Sequence, residues 1–479
     1  MKMAHSAASA FTAVAISGLL LGQTAAGPSA TGLARISAES LRESVAYLAS
    51  DELEGRATPS PGLDQAANYL AERFQAAGLE PISPGGSYFQ EARFGQVTPN
   101  VEKLMVKLVV GTQAIQLEAD TTSVRSLTAL DLTDAPVLSL PDKSLPDKGE
   151  LPNTAGKVVA GSAAVYGTEA GLQKLQAQHP KLIFLVSKRK GRSMPSYLED
   201  LDAGLAPVIR VGNEETLNTL ASGQNMKLTV RLDAPKVEVL KLRNVGGILR
   251  GSDPAFKEQI VMLTAHYDHV GKKPGSGDQI FNGANDNASG TASVLEIARA
   301  LASLPARPKR SILFLTLFGE EKGLLGAYYY TRHPLFPLAK TIAEVNLEQM
   351  GRTDDKEGTR LKEISFTGPS YSDLPAIIAE AAKAEGVGIY KKSDADSFFA
   401  RSDNYAFALA GIVAHTLVVA YEYEGYHAPD DEWQRLDYQN MAVVDKGVAA
   451  GILSIANRAE LPKWSETKTV DLYRNAAGQ

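Results

Sequence analysis

The stretch that decides the fold is "SILFLTLFGEEKGLLG", which runs from Ser311 to Gly326. An apolar run of strand length ends abruptly in two adjacent acids, Glu320 and Glu321. Taken alone, such a pair is typical of the solvated first turn of a helix, where acids complement the helix dipole. The rest of the chain decides between that interpretation and a functional one.

Strands and helices alternate around this stretch from Asn244 onward. The runs "EQIVMLTAH", "AEVNLEQM", "KEISFTG" and "GIVAHTLVVAY" predict strands, whereas "NASGTASVLEIARALASL" and "LPAIIAEAAKAEG" predict helices. The alternation predicts an α/β fold with a mostly parallel central sheet that is flanked by helices. In such sheets, ligands bind beyond the carboxyl ends of the strands.

Carboxylates and imidazoles stand at five predicted strand-to-loop junctions. They are His266 with Asp268 and His269, Asp286 just before a helix, the pair Glu320 and Glu321, Glu348, and His427 after the last strand. The chain has no cysteine, and these are the ligand types that zinc accepts in the absence of thiolates. Two histidines and three carboxylates suffice for two ions that share one carboxylate, and one further acid can take a proton from water.

The composition excludes several classes of protein. A net charge of -6 argues against a general affinity for nucleic acid or anionic membranes. Hydrophobic residues make up 44% and charged residues 22%, as in an ordinary soluble globular protein. No apolar run reaches the ~20 residues that a membrane span needs.

The ordered set of motifs resembles the exported bacterial co-catalytic zinc aminopeptidases. That family also includes glutamate carboxypeptidase-like enzymes, glutaminyl cyclases and the non-enzymatic transferrin receptor. The matching stretches are "LASDELEGRATPSPGLDQAANYLAERFQAAGLEP", "NVGGILRGSDP", "AHYDHVG", "NGANDNASGTASVLEIARAL", "FGEEKGLLGAYYY", "VNLEQMGR", "RSDNYAF" and "YHAPDDE". They lie between residues 48 and 432, on either side of a β-rich insert. This insert resembles a protease-associated domain in its position in the chain and in its succession of short β-rich runs.

The resemblance implies a role for each residue of the set. His266 and Glu348 bind one metal, Glu321 and His427 bind the other, and Asp286 bridges both. Asp268 orients His266, and Glu320 is the general base. Tyr426 donates a hydrogen bond to the oxyanion, a role for which Tyr421 and Tyr423 are alternative candidates. Arg401 and Asp403 line the substrate pocket. Two positions depart from the family pattern: Glu348 replaces the aspartate of the best-known aminopeptidases, and Asn404 replaces a common histidine.

Several other residues receive structural expectations. His269 is expected behind the ligands or on the surface, and His415 is expected to be a satisfied core histidine. Asp431, in the run that also holds Asp430 and Glu432, is expected to cap or solvate a turn. Asn285 and Asn287 are expected to brace the loop around Asp286.

The implied activity is hydrolysis of the N-terminal peptide bond of peptides with a free N-terminus, by a metal-bridged hydroxide with a glutamate base. The implied cofactor is two Zn²⁺ per chain, for which Co²⁺ or Mn²⁺ could substitute. Three alternatives stay open: a carboxypeptidase or dipeptidase on the same scaffold, which the glutamate at 348 slightly favours; a single-zinc glutaminyl cyclase; and a non-catalytic binding protein. The choice between monomer and homodimer is also open.

The 479 residues exceed what one compact core usually holds. Residues 1–26 combine a lysine, a short apolar core and small residues, which predicts a signal peptide and an exported protein, periplasmic or secreted. The predicted order then continues with residues 36–100, the first part of the peptidase domain; 101–237, the protease-associated-like insert; 238–462, the catalytic zinc peptidase domain; and 463–479, a loose polar tail.

Overall fold

The computed structural model describes residues 32–141, 151–201, 204–221 and 225–478. The predicted signal peptide, residues 1–26, lies outside the described residues. The helices are α1 (Ala38–Leu48), α2 (Pro61–Ala76), α3 (Ala163–Tyr166), α4 (Glu169–Gln176), α5 (Glu214–Ala221), α6 (Gly290–Ala302), α7 (Leu325–Arg332), α8 (Leu374–Ala384), α9 (Asn404–Leu409), α10 (Tyr438–Asn457) and α11 (Asp471–Ala476).

The first ten strands run through the amino-terminal half of the chain. They are β1 (Glu80–Pro81), β2 (Phe89–Val110), β3 (Gln113–Leu117), β4 (Thr122–Arg125), β5 (Leu130–Ser139), β6 (Val158–Ser162), β7 (Leu182–Ser187), β8 (Ser196–Leu198), β9 (Val208–Gly212) and β10 (Met226–Leu249). The others are β11 (Ile260–His266), β12 (Gly271–Lys272), β13 (Ile280–Phe281), β14 (Ser311–Leu317), β15 (Thr341–Glu348), β16 (Asp354–Asp355), β17 (Gly358–Thr359), β18 (Glu363–Phe366), β19 (Gly388–Ile389) and β20 (Ala414–Val418).

Four parallel strands, in the order β14-β11-β15-β20, form the centre of the sheet. Every residue of β11 and β14 is buried, as expected for strands that are covered on both faces. Helix α6 packs on β11, β14 and β15, whereas α7 packs on β14 and α9 on β15 and β20. The predicted α/β architecture with a mostly parallel, helix-flanked sheet is confirmed.

The register of these strands brings the candidate site together. His266 at the end of β11 lies opposite Leu317 at the end of β14, and Glu348 at the end of β15 lies opposite Val418. The carboxyl ends of the parallel strands therefore meet at one edge of the sheet. Antiparallel β10 and β18 flank the parallel strands on either side.

Two long strands join the insert to the rest of the chain. The expected boundaries at 100/101 and 237/238 fall inside β2 and β10, which pair with each other along most of their length. The insert also contains a parallel set, β5-β6-β7-β9, and the helices α3 to α5. It is the β-rich unit that we expected, and it shares a sheet with the peptidase-like part.

The carboxyl-terminal residues 463–478 are not the loose tail that we expected. Trp464 and Val470 are buried, and α11 carries Tyr473 into contact with the rings of Trp464 and Phe399. The Trp464 indole N–H donates to the Gly411 carbonyl at 3.2 Å. The aromatic residues of this polar segment hold it against the core. Among the described residues, no helix has the length and apolar character that crossing a membrane requires.

Candidate metal centre

The carboxyl-terminal edge of the sheet collects the predicted ligands. His266 ends β11, Glu348 ends β15, Glu320 and Glu321 follow β14, Asp286 precedes α6, and His427 follows β20. All are buried or half-buried. The parallel register explains why residues that lie far apart in the sequence converge here.

Asp286 stands at the centre of the group and faces both His266 and His427. Its Oδ1 lies 3.3 Å from His266 Nε2, and its Oδ2 lies 3.1 Å from His427 Nε2. His427 Nε2 is also 3.1 Å from Glu321 Oε1, and His266 Nε2 is 3.7 Å from Glu348 Oε1. Ligand bonds of 2.0–2.2 Å at a tetrahedral angle put neighbouring donor atoms about 3.3–3.6 Å apart. The observed spacings lie close to that range.

His269 belongs to this group, although we expected it behind the ligands or on the surface. It is fully buried, and its Nδ1 lies 2.9 Å from Glu321 Oε1 and 3.9 Å from Asp286 Oδ2. Donor atoms of His269, Asp286, Glu321 and His427 all lie within 4.8 Å of one another. Among the described residues this is the one group of three or more that converges so closely.

The donor set fits a metal ion. Apart from the 2.9 Å contact between His269 Nδ1 and Glu321 Oε1, and the 3.1 Å contact of Glu321 Oε1 with His427 Nε2, these two buried atoms have no hydrogen-bond partner within the described part of the chain. Buried polar atoms without hydrogen bonds are costly, and a cation bound by His269 Nδ1 and Glu321 Oε1 would satisfy both. Imidazole nitrogens and carboxylate oxygens are the donors that zinc binds.

The pKa shifts show an excess of negative charge at the site. Burial lowers the pKa of His427, but Asp286 and Glu321 outweigh burial and raise it to about 10. Burial raises the pKa of Glu321, as does Asp286, but the close imidazoles of His269 and His427 bring it down to about 2. Both shifts mean that positive charge is strongly favoured between these side chains.

Asp268 contacts Glu320 as well as His266. The His266 Nδ1 atom lies 3.1 Å from the backbone carbonyl oxygen of Asp268 but 3.6 Å from its carboxylate. The carboxylate accepts the backbone N–H of Glu320 at 3.0 Å and the hydroxyl of Thr58 at 3.0 Å. The main chain of residue 268 thus makes the closer contact to the histidine, and its side chain fixes the start of the Glu320 turn.

Glu348 is held by two polar neighbours. The Ser402 hydroxyl donates to Glu348 Oε1, and the Asn346 amide donates to the same atom at 3.3 Å. Burial raises the pKa of Glu348 to about 7, although His266 and these donors oppose the rise. The longer glutamate at this position thus reaches His266 from a strand end that is braced by hydrogen bonds.

Two residues that the sequence interpretation left without a role at the site hold it in shape. Arg56 is fully buried and donates to the carbonyls of Leu48, Tyr267 (2.9 Å), Asn282 (2.8 Å) and Gly283 (3.0 Å). Burial lowers the pKa of Arg56 to about 10, so the side chain stays cationic behind the carboxylates. The sequence offered one indication of this role, because Arg56 ends the stretch "DELEGR" within one of the motifs that carry the resemblance.

Asp431 is the second such residue, and the expectation that it caps or solvates a turn is wrong. It is fully buried, and its carboxylate accepts the backbone N–H groups of Asn285 and Asp286 at 3.0–3.1 Å. Tyr423 also donates to it at 3.1 Å. Asn285 and Asn287 brace the same loop as expected, through bonds to the backbone of Gly351 and Leu347 among others.

The tyrosines after β20 differ in whether their hydroxyls are available. The Tyr421 hydroxyl is engaged with Phe366 O at 2.7 Å, and the Tyr423 hydroxyl is bound to Asp431. Tyr426 is 51% exposed, stacks on His427 at 4.1 Å and lines the cavity in front of His266 and Glu320. Of the three, only Tyr426 has a hydroxyl that makes no hydrogen bond to the described residues.

Arg401 and Asp403 differ in exposure to the cavity. Arg401 is exposed, lies over the Phe398 ring at 4.3 Å and lines the same cavity, which measures about 180 Å³. Asp403 is completely buried, with no hydrogen bond to its carboxylate among the described residues. It lies beneath the site, where burial holds its pKa well above the usual range, and it cannot line the pocket as expected.

Residues 244–452 match the family model described as Peptidase family M28. This part of the chain belongs to peptidase family M28. The matched range contains every predicted metal ligand as well as His269, Glu320 and Tyr426.

Several individual proteins are similar to this chain. Aminopeptidase YwaD of Bacillus subtilis is 28% identical over 289 residues, which cover 54% of this chain and 59% of YwaD. A probable zinc metalloprotease of Leptosphaeria maculans is 39% identical over 150 residues, 30% of this chain and 32% of that protein. The chain thus spans less than two thirds of these two relatives.

Two matches extend over most of this chain. Probable leucine aminopeptidase 2 of Aspergillus oryzae is 24% identical over 452 residues, 86% of this chain and 82% of that protein. A solved aminopeptidase from Aneurinibacillus sp. strain AM-1 has a TM-score of 0.56 at 19% identity, and the match covers 90% of this chain and 97% of that one. The structural likeness shows that the fold is shared.

Proposed function

We propose that the chain is a zinc metallo-aminopeptidase that hydrolyses the N-terminal peptide bond of peptides. The observation that carries the proposal is the arrangement around Asp286, which presents one carboxylate oxygen to His266 and the other to His427. The aminopeptidases among the relatives support the same activity.

The proposed cofactor is two zinc ions, for which Co²⁺ or Mn²⁺ could substitute. His266, Asp286 and Glu348 would hold one ion, and Asp286, Glu321 and His427 the other, with His269 as an additional donor to the second. Zinc at such a centre supplies Lewis acidity and lowers the pKa of water to about 7.

Glu320 is the proposed general base. It lines the cavity beside His266 and Glu348, and its backbone N–H is fixed by Asp268. Burial raises its pKa well above the usual value, and the carboxylates of Glu348 and Asp403 add to the rise against the effect of His266. A carboxylate with a raised pKa accepts a proton from the attacking water near neutral pH and returns it to the leaving amine.

The remaining groups position the substrate. The carboxylates in the cavity attract a free, positively charged N-terminus. The Tyr426 hydroxyl faces the cavity without a protein hydrogen-bond partner among the described residues, so it is available to donate to the developing oxyanion. Arg401 and Phe398 form part of the wall that the first side chain of the peptide contacts.

The test is a screen of matched peptides with free and acetylated N-termini, with zinc measured on the same protein sample. We expect about two zinc ions per chain and cleavage of the free peptides only. Equal cleavage of acetylated peptides would instead identify a carboxypeptidase or an endopeptidase. One zinc per chain with cyclisation of N-terminal glutamine would identify a glutaminyl cyclase, and a zinc-loaded protein without turnover would favour a binding protein.

We also propose that the chain is exported. The expected observation is a mature protein in the periplasm or medium whose N-terminus follows Ala26. A protein that retains residues 1–26 inside the cell would contradict this proposal.

A further inference from the structure

Three arginines, Arg125, Arg192 and Arg210, line a cleft of about 220 Å³ in the insert, which we call the arginine cleft. Its floor is formed by β4, at one end of the strand order, and its neighbour β9. The register places Ser123 opposite Arg210 and Arg125 opposite Val208. Because side chains alternate between the two faces of a strand, these four residues share one face of the sheet.

The basic segment "KRKGR", residues 188–192, is fastened beside this face. The Gly191 N–H donates to the Thr121 carbonyl at 3.3 Å, and the Ser193 hydroxyl accepts the Val124 N–H at 3.1 Å. These contacts flank the last arginine of the segment on both sides. Arg192 is therefore held at the cleft, rather than at the end of a free loop.

The cleft has cationic side chains without matching carboxylates. Arg125 and Arg210 are half-buried, and Arg210 donates to the Gly167 carbonyl at 2.9 Å. Within the described part of the chain, none of the three arginines forms an ion pair, whereas Arg243, for example, lies 3.0 Å from Asp64. Burial and the neighbouring Arg210 lower the pKa of Arg125, which is the direction expected for a cation that lacks an anionic partner.

This arrangement is unusual because the chain as a whole carries a net charge of -6. Acidic side chains are therefore abundant, yet none pairs with these three arginines in the described structure. Guanidinium groups form two parallel hydrogen bonds with carboxylate or phosphate oxygens, and they desolvate more readily than an ammonium group. The Ser123 hydroxyl on the same face supplies a further donor.

We propose that the arginine cleft is a binding site for an oxyanion, the phosphate or carboxylate group of a small ligand. The ligand would accept hydrogen bonds from Arg125 and Arg210 on the sheet and from Arg192 on the loop. The cleft shares no lining residue with the cavity at the candidate metal centre, so this inference does not depend on the proposed peptidase activity.

The experiment measures binding of two probes, inorganic phosphate and a triglutamate peptide, to the full zinc-loaded chain in a chloride buffer of constant ionic strength. Trilysine serves as the peptide control. The test variant is Arg125→Gln/Arg210→Gln, and the matched control is Arg231→Gln, an exposed arginine of the insert that lies 3.8 Å from Asp131. Any phosphate that binds to zinc does so equally in all variants. The difference in phosphate affinity between variants therefore reports binding at the arginine cleft.

We expect wild type and Arg231→Gln to bind one or both anionic probes alike, and the double variant to bind at least 10-fold more weakly. Binding of phosphate alone would identify a phosphate site, and binding of triglutamate alone a carboxylate site. Equal affinity of the double variant and wild type for both probes would overturn the proposal, as would failure of wild type to bind either probe.

Two further variants keep the test decisive if the double variant does not fold. Arg192→Gln changes only an exposed side chain, and we expect it to weaken binding several-fold; unchanged binding would count against the cleft. In the same chloride buffer without either probe, Arg125→Gln should raise the melting temperature, because it removes one of two neighbouring cations. It should also abolish most of the rise in melting temperature that the anion gives to wild type. The proposal would be contradicted if Arg125→Gln were less stable than wild type without the probe anion and if adding the anion raised the melting temperatures of both proteins equally.

Discussion

Replacing each of the two adjacent glutamates by glutamine separates their proposed roles in one experiment. Glu320→Gln keeps the shape of the side chain and leaves its backbone N–H bound to Asp268, but it removes the proton carrier. We expect kcat to fall about 10²–10⁴-fold with zinc content unchanged, the usual contribution of a general base. Glu321→Gln removes the charge of a metal ligand, so we expect the purified protein to lose zinc.

The same two variants should shift the stability of the metal-free protein in opposite directions. The pKa of Glu321 falls from 4.5 to about 2, so its ionised form stabilises the folded state by about 3 kcal/mol at neutral pH. That contribution is complete above pH 4.5 and is lost as the pH falls through 2. The pKa of Glu320 is raised by burial and by nearby carboxylates, so its ionised form destabilises the folded state at pH 7.

The assay combines three measurements on each variant: zinc content, kcat on an aminoacyl anilide at saturating zinc, and the melting temperature at pH 7 after chelation. We expect the metal-free melting temperature to rise for Glu320→Gln and to fall for Glu321→Gln. Near-normal turnover by Glu320→Gln would refute its role as the base. Shifts of both melting temperatures in the same direction would refute the charge assignment that underlies the argument.

Three other changes have measurable outcomes. Replacement of His269 by asparagine should weaken zinc binding by about 10- to 100-fold, as measured by competition with a chelator, because the side chain contacts Glu321; unchanged affinity would exclude it as a donor or brace. Tyr426→Phe should lower kcat by about 10²- to 10³-fold on zinc-loaded protein while KM changes little, and a purely KM effect would contradict an oxyanion role. Burial lowers the pKa of His415 to about 4. As the pH falls below 6.5, the His415 imidazole is therefore protonated in the unfolded chain while it is still neutral in the folded chain. Wild type should therefore lose about 2 kcal/mol more stability between pH 7 and pH 5 than His415→Gln, and equal pH dependence would refute this.

The strands, and the convergence of the polar residues at their ends, were predictable from the sequence for a simple reason. Parallel strands align their carboxyl ends, so polar residues that follow apolar runs must meet once the strand order is right. His266 and Glu348 end two adjacent strands, and Glu320 and Glu321 follow a third. His415 was equally predictable as a core residue, and its ring nitrogens contact Ser372 and Thr367 in the buried strand region.

The residues that support the ligands were not predictable in the same way. Arg56 and Asp431 act through contacts with residues that are distant in sequence, and neither periodicity nor strand position distinguishes them from surface residues. His269 does follow a predicted strand, but that position alone does not show that it joins the candidate ligands. Asp403 shows the reverse case, since its motif places it near the pocket but packing buries it completely. The insert was predictable as β-rich, but its parallel set β5-β6-β7-β9 was not, because these short strands lack the long amphipathic helices that usually reveal such a set.

The two adjacent glutamates are compatible with a buried site because the turn after β14 sends them to different neighbours. Gly319 has a φ of 69°, a conformation that favours glycine, and it starts the short turn Glu320–Lys322. Glu321 is only 8% exposed and contacts two histidines, whereas Glu320 lines the cavity on the side of Glu348. A solvated helix start would leave both acids in water without specific partners. Here each has its own set of contacts, which is why two like charges at one strand end indicate two functions.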